Sequence, residues 1–133
     1  MRMKRQNKAG IIATRKDVKG ELQILIISSR KLPGSWVFPV GTVEKGESLK
    51  EAAKRECEEE SGYIVDVGKR VGSVEIMDSS TVNKFTFFLG KVVDRNNEYE
   101  KDRKVLWVKI SDSYEMISDP FLPILKKFEK IVE

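Results

Sequence analysis

Residues 41–63 read GTVEKGESLKEAAKRECEEESGY, and the placement of that stretch decides what the chain is. Ser48 is a helix N-cap residue with Glu51 three positions on as its capping-box partner, and Gly62 stands where a helix stop belongs. The spacing therefore predicts a helix over residues 49–61. On a wheel of about 100° per residue, Leu49, Ala53 and Cys57 share one sector with Ala52 beside it, the face that should be buried. Lys50, Glu51, Lys54 and Glu58 fall opposite. Glu56 and Glu60, however, land in the apolar sector, and Glu59 borders it. Three carboxylates at such spacing, pointed at the protein body, repel one another and lose hydration. The single guanidinium of Arg55 cannot neutralise all three. An oxygen-loving divalent ion such as Mg²⁺, bound by carboxylates together with substrate phosphates and retained waters, would. The residues leave a second reading open, a Glu-rich exposed helix laced with salt bridges.

The rest of the chain narrows the chemistry. Its 133 residues are 40% hydrophobic and 35% charged, enough for one domain, 1–133, that buries roughly two thirds of its unfolded surface. No repeat, low-complexity segment or Pro/Gly-rich linker divides it. No apolar run is long enough to cross a bilayer, and the stretch after the basic residues 1–8 is too short for a signal-peptide core, so an intracellular, cytoplasmic protein is expected. Cys57 is the single cysteine, which excludes an intramolecular disulfide and a Cys-cluster metal site; it reads as a small buried hydrophobe. There is no histidine. Every Ser-His, Cys-His and His-metal scheme falls away, and catalysis must rest on carboxylates, lysine, hydroxyls or a metal held by oxygen.

Around the helix the pattern is largely β. Residues 9–14 and 22–28 form a predicted hairpin across the turn-like residues 16–20, followed by a short strand at residues 36–38 stopped by Pro39. Residues 64–76, 81–93 and 105–110 supply further strands. Pro120 opens a last amphipathic helix whose stripe of Phe121, Ile124, Leu125, Phe128 and Ile131 reads as core. The mixture argues for an α+β fold, helices packed on a mixed sheet.

The motif then supplies a resemblance. Gly41, Glu47, Arg55-Glu56, Glu59-Glu60 and Gly62 stand at the spacing of the Nudix box, and the strand order around them is similar to the Nudix α/β/α sandwich, with helices on both sides of the sheet. Seven fixed matches at a background of about 7% would arise by chance at roughly 10⁻⁸ per start point. Cys57 and Tyr63 replace aliphatic residues of the usual pattern at packing positions. The resemblance implies an enzyme, a phosphohydrolase that cleaves a diphosphate linked to another moiety, with Mg²⁺ as cofactor and Mn²⁺ able to substitute. It implies Glu56 and Glu60 as metal ligands, Glu59 as ligand or as the base that takes the proton from the attacking water, and Arg55, with Glu47, as the group that holds the glutamates. Backbone carbonyls of Val40 or Gly41 would complete the metal shell; many relatives carry glycine where Val40 stands.

Outside the box, Ser28-Ser29-Arg30, running through Trp36, Pro39 and Gly41 to Glu44, is similar to the diphosphoinositol polyphosphate and diadenosine polyphosphate hydrolases. Lys8, Lys84 and Arg103-Lys104 match further basic positions of that group, and Arg5 joins them as a candidate phosphate contact. Near Pro120, where the group has a basic residue, this chain has Asp119. Charge supports a polyphosphate substrate. Between Glu44 and Glu60 seven glutamates face four cations, a net of −3, so with +4 for the whole chain the remainder carries +7. Other readings stay open: a Nudix enzyme acting on nucleoside triphosphates or a capped RNA end, and a non-catalytic binding module. General nucleic-acid binding has only the mild basic balance behind it. Trp36, Phe38, Phe85, Phe87 and Phe88 could stack on a base, although strand alternation makes most of them core. A small-molecule substrate and no membrane are the expected associations; the sequence does not set the oligomeric state, and a monomer is compatible with it.

Overall fold

The computed structural model describes residues 3–133; Met1 and Arg2, which open the basic N-terminal stretch, lie outside the described residues. In chain order it runs β1 (Lys4–Lys16), β2 (Leu22–Ser28), β3 (Trp36–Val37), β4 (Val40–Thr42), α1 (Leu49–Ser61), β5 (Tyr63–Asp78), β6 (Thr81–Arg95), β7 (Val105–Lys109), α2 (Ile110–Ser113), a 3₁₀ turn (Asp119–Phe121) and α3 (Leu122–Val132). The strands form one sheet ordered β3-β2-β1-β6-β5, with β4 laid on β1 and β7 on β2. β1 and β6 run parallel from the pair Lys4–Thr81 to the pair Thr14–Lys91, and the other ladders are antiparallel.

The apolar residues 9–13 are continuous rather than alternating because β1 is covered on both faces. Ala9, Ile11 and Ala13 pack with Ala52, Ala53 and Cys57 of α1, while Ile12 joins Ile24, Ile26, Phe38 and Phe87 under Ile124, Leu125 and Phe128 of α3. Successive side chains of a strand point to opposite faces, so β1, β2, β5, β6 and β7 feed both cores. This mixed sheet between helices is the α/β/α sandwich that the motif implied.

Local signals placed α1 to the residue. Ser48 Oγ accepts from the Glu51 amide at 3.1 Å, the Glu51 carboxylate accepts from the Ser48 amide at 2.9 Å, and Gly62 takes the left-handed stop at φ 82°. The β1–β2 turn is likewise held locally, by the amides of Lys19 and Glu21 donating to Asp17 Oδ1. Several bounds differ from expectation and β4 is an added strand; Pro120 sits in the 3₁₀ turn, so the last helix opens at Leu122. β1 begins at Lys4, well before residue 9, because its polar first half is paired with β6. β4 exists only through its pairing with residues 8–10 of β1. Ile110 leaves β7 for the short helix α2 instead of ending the strand.

Candidate active site

The small residues of α1 bring it close to β1 and β4, and the closeness positions the glutamates. Gly41 lies in β4 opposite Ala9, and its bare Cα faces the helix. A Cβ there would collide with the carboxyl group of Glu56. The space that any other side chain would fill is therefore occupied by a carboxylate. One helical turn on, Glu60 is 4% exposed, and its Oε1 accepts from the Val40 amide at 2.8 Å. Two carboxylates thus lie against the backbone of β4, as the wheel required. Glu59 projects outward, with half its side chain exposed.

Arg55 organises the cluster. Its guanidinium forks onto Glu47, with Nε to Oε2 at 2.7 Å and Nη2 to Oε1 at 3.0 Å. It also donates to Glu56 at 2.8 Å, to the Thr42 carbonyl at 3.0 Å and to Glu59 at 3.2 Å. Such a planar fork fixes orientation as well as charge. It pulls the Glu47 carboxyl down to about 2, the Glu44 amide helping, and the carboxylates raise the Arg55 pKa further above its ordinary value, led by Glu47. Burial acts the other way on the inner pair. It raises Glu56 above the usual carboxylate range despite Arg55, and pushes Glu60 up to about 8 against the opposing field of Arg103. The Cys57 thiol, fully buried beneath them, is pushed up to about 12 and belongs to the core.

Arg103 reaches Glu60 because the charged loop after β6 is strapped over the end of α1. The Asn96 amide donates to the Gly62 carbonyl at 2.6 Å, and the Glu100 amide to the Glu59 carbonyl at 2.8 Å. Arg103 Nη2 then lies 3.3 Å from Glu60 Oε2.

From Val40 and Gly41 an open cleft of about 540 Å³ extends over the sheet face that carries Lys8. Lys8, Ser29, Arg30 and Arg103 line it together, joined by Lys31. Lys8 Nζ donates to Thr42 Oγ1 at 2.7 Å; burial and Lys31 lower its pKa, while Glu56 and Glu60 raise it. Arg30 is held by Asp102 at 2.9 Å and Glu100 at 3.0 Å. Ser28 stands outside the cleft, its hydroxyl accepting from the Lys104 amide. Arg5 and Lys84 stand apart as well. Gln6 and Lys8 face the cleft on β1, Asn83 and Phe85 on β6, so alternation turns Arg5 and Lys84 to the opposite face. There Arg5 pairs with Glu75, itself the β-partner of Lys84. Sequence reasoning missed Gln6, Lys31 and Asn83. Nothing in the mixed polar and apolar run of β6 singled out Asn83.

Among the described residues no group of three acidic side chains forms a ready cage for a metal ion. The donor set nevertheless fits a hard cation. Every donor is oxygen, the Gly41 cradle holds one carboxylate against backbone, and Mg²⁺ asks the protein for only one or two carboxylates alongside phosphate and water.

Similarity to known proteins bears on the family and the fold. The NUDIX domain sequence profile matches residues 4–123. Among curated proteins the chain is similar to the mouse diphosphoinositol polyphosphate phosphohydrolase 3-alpha, 30% identical over 73% of this chain and 61% of that one. Another relative is Nudix hydrolase 18, mitochondrial, of Arabidopsis thaliana, 29% identical over 77% and 60%. The chain thus spans about 60% of the length of these relatives. Among solved structures a C. elegans Ap4A hydrolase superposes with a TM-score of 0.78 at 20% identity over the whole of both chains. A NUDIX hydrolase from Nitrosomonas europaea gives 0.79 at 19% over 96% of this chain and 90% of that one; both likenesses concern the fold. No helix among the described residues is long and apolar enough to cross a membrane.

Proposed function

Because the chain belongs to the Nudix family, we propose that it is a divalent-metal-dependent phosphohydrolase, one catalytic domain over residues 1–133, that cleaves phosphoanhydride bonds in diphosphoinositol polyphosphates or diadenosine polyphosphates. The observation that carries the reading is the Gly41–Glu56 cradle beside buried Glu60, with Arg55 bracing both the box loop and the helix. Glu56 and Glu60, with the β4 backbone, would hold the ion, Mg²⁺ or Mn²⁺. A bound divalent cation supplies charge neutralisation for the phosphoryl oxygens.

The chain's own residues do the rest. Lys8, Lys31 and Arg103 draw the phosphates to the Val40–Gly41 end of the cleft, and Ser29 shapes the loop that carries Arg30 by accepting from the amides of Lys31 and Leu32. Water attacks phosphorus; the new O–P bond forms as the bridging P–O bond breaks, and the leaving phosphate oxygen keeps the electron pair. Glu59, the exposed carboxylate of the box, takes the water proton. With no histidine in the chain, a carboxylate is the fitting base. Arg55 keeps the glutamates from splaying before the substrate arrives. The homologous protein named for diphosphoinositol polyphosphates and the cations of the cleft support a substrate rich in phosphate.

The test is a panel of inositol pyrophosphates, dinucleoside polyphosphates, nucleoside triphosphates and capped RNA with Mg²⁺ or Mn²⁺, products read by phosphorus NMR in ¹⁸O water. Turnover of the first two classes, abolished in a Glu59→Gln, Glu60→Gln double variant, is expected. Turnover of nucleoside triphosphates or capped RNA alone would overturn the substrate assignment, and full activity in the double variant would overturn the mechanism.

A further inference from the structure

The cleft has two ends of different chemistry. The box end carries Lys8, Arg30, Lys31 and Arg103. The far end is a row set by strand register, in which Gln6 of β1 stands opposite Asn83 of β6 and Asn83 opposite Ile76 of β5. Phe85 and Phe121 close its wall, packed edge to face with ring centroids 5.2 Å apart. All five residues line the cleft, and none is charged.

Asn83 is 8% exposed, and its Oδ1 is buried with no hydrogen-bond partner. Leaving a polar atom so placed destabilises a fold, and native proteins keep few of them. Asn83 lines the open cleft, and rotation of its carboxamide would present that oxygen to a ligand that brings the donor. Phosphates would find no cation in this row. A flat heterocycle with an amino group beside a ring nitrogen would fit it, the carboxamide pairing with both as asparagine does with adenine and the aromatic wall covering its apolar surface. The separation is also suitable. Gly41 stands opposite Ala9, and Gln6 is three residues back along β1, about 10 Å at the usual strand rise, which leaves room for phosphates between the base and the glutamates.

We propose that Asn83 is the specificity-determining residue of a nucleobase subsite, reading the amino edge of an adenine-type base whose phosphate chain runs to Glu56 and Glu60. Within the proposed substrates this favours the dinucleoside polyphosphates over the inositol pyrophosphates. The proposal rests on the phosphohydrolase reading only for the direction of the phosphate chain.

Its test therefore uses binding without turnover: calorimetry of the full chain in EDTA with AMP, with purine riboside 5′-monophosphate, which lacks the amino group, and with inositol hexakisphosphate. AMP is expected to bind about tenfold or more tighter than its deamino analogue. In both Asn83→Leu and Asn83→Ala that ratio should fall to near one through weaker AMP binding. Asn83→Leu should also hold or raise Tm, since it removes an unpaired buried atom; a merely structural asparagine would lower Tm and leave the ratio intact. Equal binding of AMP and its analogue, a ratio that survives both substitutions, or binding of inositol hexakisphosphate without AMP would each overturn the proposal. Amino-dependent AMP binding in a protein that hydrolyses no anhydride would uphold the subsite and overturn the hydrolase reading instead.

Discussion

α1 and α3 cover opposite faces of the same sheet and bury very different things. α3 inserts Ile124, Leu125 and Phe128, large side chains with no exposed surface. α1 inserts Ala52, Ala53 and Cys57, and then turns Glu56 and Glu60 toward the sheet. Each large apolar side chain buried by α3 contributes about 1.5–3 kcal/mol, whereas the buried carboxylates of α1 cost stability that Arg55 and Arg103 offset only in part. One helix secures the fold, and the other uses the close approach that small residues permit to bring acidic groups against a backbone. Apolar bulk comes from one helix and carboxylates from the other, although the cleft itself opens on the face that α3 covers.

That division between the helices can be broken most directly by exchanging the damage. Glu56→Gln should lower turnover about a thousandfold or more, the several kcal/mol that a correctly held divalent ion provides, while leaving Tm nearly unchanged. Phe128→Ala should remove about 3–5 kcal/mol of stability yet spare turnover per folded molecule, as read by denaturant titration beside an assay below the unfolding transition. A silent but folded Phe128→Ala protein would show that the two faces are coupled. Next in size, Arg55→Lys keeps the charge and loses the fork onto Glu47, Glu56 and the Thr42 carbonyl. Metal affinity should fall about 10–100-fold, as for other supports of metal ligands, measured by titration calorimetry.

A pH series sharpens the same contrast. Glu60 moves from an ordinary value of 4.5 up to about 8 in the folded chain. Folding therefore takes up a proton between those values, and this group's contribution to stability falls as pH rises through that window, levelling off above about 8. Metal binding needs the carboxylate and releases the proton, so divalent affinity should rise about tenfold per pH unit up to about pH 8 and then flatten. Glu60→Gln should flatten both slopes, leaving the part set by buried Glu56, whereas Phe128→Ala should leave them unchanged. The smallest expected effect is at the cap: Ser48→Ala should cost about 1 kcal/mol in chemical denaturation, with α1 still docked and the activity largely kept.

Legibility followed the range of the forces. The limits of α1 were readable because the Ser48–Glu51 box and the left-handed Gly62 act within a few residues. The inward carboxylates were readable because helical periodicity is fixed by geometry. β4 was not, since residues 40–42 are a strand only by pairing with β1. Family position groups Lys84 with Lys8, and charge adds Arg5; only the sheet's two faces divide them. Asn83 carried no motif at all; its meaning arises from standing between Gln6 and Ile76 on the face that the cleft exposes.

The sequence by itself determined the chemistry available: oxygen donors and no imidazole, an arginine among glutamates at helical spacing, and a charge split between an acidic box and a basic remainder. Those follow from covalent identity and local periodicity. The tertiary structure decided which of these groups meet. Cross-strand register and the tight packing of α1 on β1 set Glu56 on Gly41, Arg103 beside Glu60, and an unpaired amide at the far wall of the cleft. Contacts between residues far apart in sequence depend on how both faces of the sheet are filled at once, and no local stretch of the chain encodes that.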